Sequence, residues 1–195
     1  MQHIPRSSLA AAVFGAVSLA TPLAVPSAQA AGFTLSSPDI PAGGTIPKSF
    51  EYNGFGCAGE NKSPALRWSG APKGTKSFAV TVHDPDAPTG SGWWHWMVIN
   101  IPAGVTELPG NAGAANSTTL PAGAVQGRND YGANAWGGVC PPPGDKPHRY
   151  VFTVYALGTD KLDVPADATA ALTGFMINGN TIAKASFTAH YGRPK

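Results

Sequence analysis

The chain has 195 residues, a length that suits one domain able to bury its own core without metal or dense disulfide support. Charged residues make up only 12%, while Gly (24) and Pro (19) are abundant among recurring Val, Ile and aromatic clusters, which argues for well-turned β structure over disorder. The net charge is +2 and the basic residues form no stripe, so nucleic acid is not an expected partner.

The first thirty residues read as a cleavable secretory signal. Arg6 precedes an apolar stretch from Leu9 to Ala20, and Ala28-Gln29-Ala30 has the small-x-small cleavage pattern. Cleavage after Ala30 leaves a domain over 31–195. A membrane anchor is the rival, but the run is short and is closed by Pro22 and Pro26, and no later segment is expected to span a membrane. The protein is accordingly expected in the periplasm or the medium. There, two cysteines, Cys57 and Cys140, are expected to pair; the alternative is two buried free thiols.

After Phe33-Thr34-Leu35, residues Pro38 to Pro64 are rich in Gly, Pro and Asn and read as loops joined by short extended pieces. Alternation in Ser77 to Val82 predicts a strand with Phe78, Val80 and Val82 on one face. Trp94 to Ile101 is apolar on both faces and predicts a central strand. Pro102 to Pro147 is a long irregular connection, and such segments are disproportionately functional. Arg149 to Leu157 predicts a third strand. Beyond it, Asp167 is a candidate cap for a short helix with Ala170, Ala171, Leu172, Phe175 and Met176 on one apolar face. A second helical piece is expected near Asn180, and Lys184 to Tyr191 as a final strand. Together these elements predict a mainly β protein, an antiparallel sandwich with short helices near the carboxyl end.

Titratable residues gather at strand ends. In His83-Asp84-Pro85-Asp86-Ala87-Pro88, the prolines restrict two carboxylates that could orient His95 and raise its pKa. The plainer reading is an Asp-Pro turn, with His95 satisfied in the core. In the second cluster, Pro141-Pro142-Pro143-Gly144 forms a stiff wall before His148 and Tyr150, which share a strand face. Two imidazoles, a phenol and backbone N–H groups can hold a phosphate-like oxyanion. Arg149, on the opposite face, is expected in a structural ion pair.

These boxes, in this order, resemble the signature motifs of the phosphatidylethanolamine-binding family, also called Raf kinase inhibitor-like proteins. Asn53 to Pro64 and Gly90 to Trp96 are similar to its bacterial YbhB/YbcL branch. The resemblance implies a sandwich of antiparallel sheets with a small pocket for phosphate, acetate, cacodylate or a phosphorylated headgroup. By motif it places Asp84, Asp86, Pro88, His95, Pro141, His148 and Tyr150 at that pocket. The chain departs from the eukaryotic pattern at Trp94, where a histidine is frequent, and at Cys140, where a glycine is frequent. It also lacks a recognisable terminal helix over the pocket.

A binding module without catalysis is the favoured reading, with no cofactor expected and with a protein partner and a homodimer left open. The enzyme alternative is a hydrolase using the Asp and His residues for acid-base chemistry. No Gly-x-Ser-x-Gly elbow, phosphate-cradling loop or nucleophile beside a base accompanies them. A metal set of Asp84, Asp86, His95 and His148 is not expected, since no compact ligand motif is present. Trp93, Trp94, Trp96 and Trp136 are expected in the core or pocket wall more than in a lipid-contacting patch.

Overall fold

The computed structural model describes residues 32–195; the expected signal segment lies outside the described residues. The elements in chain order are β1 (Thr34–Ser36), a 3-10 turn (Lys48–Phe50), β2 (Asn53–Gly54), β3 (Cys57–Ala58), β4 (Leu66–Ser69), β5 (Ser77–Asp84) and β6 (Trp93–Pro102). There follow β7 (Glu107–Leu108), β8 (Val125–Gln126), β9 (His148–Leu157), α1 (Ala170–Asn180) and β10 (Thr181–Tyr191). Every strand pairing within the sheets is antiparallel. A five-stranded sheet has the order β10-β9-β5-β6-β8, a three-stranded one β1-β4-β7, and β2 and β3 form a hairpin.

Both faces of the large sheet are covered. Phe78, Val80 and Val82 of β5 join Trp96, Val98 and Ile101 of β6 and Phe152 and Val154 of β9 in the main core, which also takes in Leu35, Leu66 and Trp68 of the smaller sheet. On the reverse face, Ala79, Met97, Ile99 and Leu157 pack with Leu162 and with Ala170 and Ile177 of α1. The Ser77 to Val82 strand is therefore as central as the one after it. Alternating residues there are apolar or small because each face meets a packed layer.

Two bulges interrupt the β5/β6 ladder. In one, Asn100 adopts a left-handed backbone (φ 58°), a region that Asn tolerates, and its carboxamide accepts from Leu162 N–H at 2.7 Å. In the other, Val82 pairs with Trp96 and His83 with Trp94, which leaves His95 as the extra residue.

The carboxyl-terminal expectations need three corrections. Thr169, not Asp167, caps α1: it stands next to the first helical residue, and its Oγ1 accepts from Leu172 N–H at 3.2 Å. The buried face is Ala170, Thr173 and Ile177, at helical spacing, whereas Leu172 and Phe175 are exposed. No second helical piece begins at Asn180; α1 ends there and β10 starts at once, paired along nearly its whole length with β9. No helix among the described residues is long and apolar enough to cross a membrane.

Candidate functional site

Asp84 ends β5, and its acceptors are consumed within the chain. Oδ1 accepts from the N–H groups of Asp86 (2.8 Å) and Ala87 (3.1 Å), and Oδ2 from His148 Nδ1 (2.8 Å). The carboxylate thus folds the Asp84-to-Pro88 turn back on itself and anchors the start of β9. The turn returns to β6 through Gly92 (φ 73°), where a Cβ would stand 2.5 Å from Asp84 O and 2.6 Å from His83 Nε2, so only glycine fits.

Asp86 turns the other way. Its carboxylate takes Arg149 in a two-pronged contact, Nε at 2.9 Å and an NH2 nitrogen at 2.8 Å, and also accepts Arg149 N–H at 2.9 Å. The guanidinium holds the Asp86 carboxyl well below its ordinary range, against a smaller opposing effect of burial. The structural ion pair expected for Arg149 is present, and it takes Asp86 away from the cavity. Of the four residues weighed as a metal set, Asp86 is thereby turned away from the cavity that Asp84, His95 and His148 share.

His95 is oriented by backbone, which corrects the expectation that Asp84 or Asp86 does so. Its Nδ1 lies 2.7 Å from Gly137 O and 3.1 Å from Gly138 O. As the extra residue of the bulge, it is buried toward the same core as its neighbour Trp96, meeting Tyr150 and Tyr131 edge-on at ring distances of 5.1 and 5.7 Å. The expected rise in its pKa is also overturned. Burial lowers it from 6.5 to about 4, outweighing the carbonyl contacts and the nearby Asp84 charge. Gly137 can approach because any Cβ there would overlap the Tyr131 ring.

These residues frame a cavity of about 210 Å³. Of the residues expected there, Asp84, Pro88, His95, Pro141 and His148 line it. Tyr150 lies behind His95, fully buried, its hydroxyl near the Cys140 backbone but completing no hydrogen bond. Burial, and then the Asp84 charge, push that hydroxyl's pKa far above the usual phenol value.

Sequence reasoning missed Phe55, Thr89 and Tyr131 of the lining; Ala87 and Pro142 stood within the two boxes without being assigned to the pocket, and Trp93 was only a candidate wall residue. Tyr131 stacks on Tyr52 at 4.1 Å and donates its hydroxyl to Gly138 O at 3.0 Å, fixing the carbonyl pair that holds His95. Of the other tryptophans, Trp96 and Trp136 are core, and Trp94 packs against His83.

The rim is cross-braced. Cys57 and Cys140 form a disulfide with Cα atoms 6.0 Å apart, joining the β2/β3 hairpin to the proline wall. Arg193 ties the same two segments, donating to Gly56 O (2.8 Å) and Pro141 O (3.2 Å). Nothing in the local sequence around Arg193 announced this strap.

The sequence profile of the phosphatidylethanolamine-binding protein family matches residues 36–192. The UPF0098 protein YbcL of Escherichia coli is 59% identical over 165 residues, covering 85% of this chain and 90% of that protein. UPF0098 protein YbhB of the same organism is 45% identical over 157 residues, covering 80% and 98%. The crystal structure of E. coli YbcL, described as a new member of the mammalian PEBP family, superposes with a TM-score of 0.81 at 57% identity, covering 83% of this chain and 99% of that one. The chain belongs to the phosphatidylethanolamine-binding protein family.

Proposed function

We infer that this protein is a binding module whose cavity takes a small oxyanion or the phosphorylated headgroup that carries one. The observation behind this reading is a small cavity beside buried polar atoms that have no partner among the described residues, His95 Nε2 foremost. At about 210 Å³ it falls below the usual ligand-pocket range of about 300–1,000 Å³, which suits a headgroup and not an acyl chain. Binding without turnover is favoured because the hydroxyl and sulfur groups of the lining are engaged: Thr89 donates to Gly92 O, and Cys140 is in the disulfide. Export to the periplasm or medium is part of the same reading, and the Cys57 to Cys140 bridge supports it.

Calorimetric titration with inorganic phosphate and phosphoethanolamine tests the site. The wild type should bind, and His95→Ala should lose on the order of 1 to 3 kcal/mol of affinity. Absence of binding by the wild type, or steady hydrolysis of phosphoesters, overturns the reading.

A further inference from the structure

The two halves of the rim disulfide sit in different surroundings. Cys57 is buried at 6% exposure, whereas Cys140 is half-buried and lines the cavity, so a small molecule reaches the bridge from the Cys140 side. Cys140 Sγ also lies 3.4 Å from a terminal guanidinium nitrogen of Arg193. The other bonds of Arg193 go to the carbonyls of Pro141 (3.2 Å) and Gly56 (2.8 Å), and no carboxylate among the described residues pairs with it.

The other charged and titratable groups near this part of the rim are engaged elsewhere. Glu51 is met by Ala58 N–H and Tyr191, Asp84 by the turn amides and His148, and Asp145 lies 3.5 Å from His148 Nε2. His95 and Tyr131 are held on the Gly137 and Gly138 carbonyls, and Lys195 lies over Gly144, further along the proline loop. Arg193 is thus the one of these charges that touches the bridge. A guanidinium against a sulfur favours the thiolate, the form that exchanges, and draws an anionic nucleophile toward it. Arg193 has a second effect on the same chemistry. It holds Gly56 and Pro141, the sequence neighbours of the two cysteines, so both segments stay in place when the S–S bond is open, and the bridge can reclose in the folded protein.

We propose that Cys57–Cys140 is an exchangeable bridge: Cys140 forms mixed disulfides with a small-molecule thiol, Cys57 is its resolving partner, and Arg193 favours the reaction at Cys140. This is independent of the anion reading. A thiolate attacks Cys140 Sγ; the new S–S bond forms as the bond to Cys57 breaks, and the electron pair leaves on Cys57 Sγ, which takes a proton from solvent. A second thiolate attacks the sulfur of the bound thiol, a small-molecule disulfide departs, and Cys140 is released as a thiolate against Arg193. Two thiols are oxidised to a disulfide and the bridge is reduced by the same two electrons. In the reverse direction Cys140 attacks the small-molecule disulfide and Cys57 resolves it. While the mixed disulfide stands, the bound thiol is attached to a wall residue of the cavity.

The test incubates the purified, oxidised protein with reduced glutathione, quenches with acid and maps the peptides by mass spectrometry. Glutathione should be found on Cys140 with Cys57 as the free thiol, while circular dichroism stays that of the folded protein. After full reduction with dithiothreitol, iodoacetamide should alkylate Cys140 before Cys57, with a pH midpoint below the ordinary thiol value of about 8.5. Arg193→Gln should raise that midpoint and slow exchange about fivefold, the effect of one unit charge near 4 Å in water. Arg193→Lys keeps the charge without the guanidinium fork and should retain most of the rate, whereas a purely bracing role would leave it as slow as the glutamine variant. Glutathione on Cys57, a bridge that opens only when the chain unfolds, a Cys140 midpoint at or above about 8.5, or a lysine variant as slow as the glutamine one overturns the proposal.

Discussion

Asp84 and His148 meet at 2.8 Å with both side chains 3% exposed, and this pair joins the end of β5 to the start of β9 inside the core. A carboxylate buried this deeply is stable only while its oxygens are met, and here the turn amides meet one and the imidazole the other. Asp84→Asn should therefore cost about 2–4 kcal/mol in urea unfolding, the scale for one partner of a buried pair removed. A double-mutant cycle with His148→Phe should show coupling above about 1 kcal/mol. Additive losses would mean the two residues act separately.

The strands were legible because β5, β6 and β9 have apolar periods that only a covered sheet explains, and the turn chemistry of the Asp84 and Pro141 boxes marked where they end. What escaped was set by tertiary geometry. A period of two puts His95 and Trp96 on opposite faces, yet the bulge brings both to the main core, where His95 takes backbone carbonyls that no spacing rule reveals. Asp86 read as a pocket carboxylate because the sequence cannot show that Arg149 is within reach of it. Tyr131 and Arg193 lie in segments without local periodicity, and their roles depend on contacts over long separations.

His95 gives a stability signature in mild acid. Its folded pKa of about 4 lies below the ordinary 6.5, so between these values the unfolded chain binds a proton that the folded chain does not. Stability is therefore unaffected by this residue above about pH 6.5 and falls as pH drops toward about 4, by up to roughly 3 kcal/mol. Urea unfolding of the wild type and of His95→Phe across that range should show the wild-type curve falling more steeply. Parallel curves would mean that the imidazole titrates normally in the fold.

Asp86 acts in the opposite half of the acid range. Arg149 lowers its pKa, so its contribution is present above the ordinary carboxyl value of 3.8 and is lost as pH falls below it. Asp86→Asn should weaken the turn at neutral pH and make the remaining acid loss shallower. Because the carboxylate faces Arg149 and not the cavity, anion affinity should fall less than in His95→Ala. A larger fall would show that Asp86 reaches the ligand.

The disulfide connects residues 83 apart, a span for which the chain-entropy account gives about 4 kcal/mol of stabilisation. Replacing both cysteines by serine should cost about 2–4 kcal/mol in urea unfolding, with intact mass before and after alkylation verifying the bridge in the parent. The effect should extend to the cavity. Cys140 precedes the buried Pro141 of its wall, while Cys57 closes the hairpin that carries Phe55 on the rim. Arg193 holds the same two segments, so the serine variant keeps part of the wall and should still bind, more weakly. Adding Arg193→Ala removes the second brace, and the combined loss of anion affinity should exceed the sum of the separate losses, because either brace alone limits how far the rim can open. Strictly additive losses would show that the bridge and the arginine support different parts of the rim.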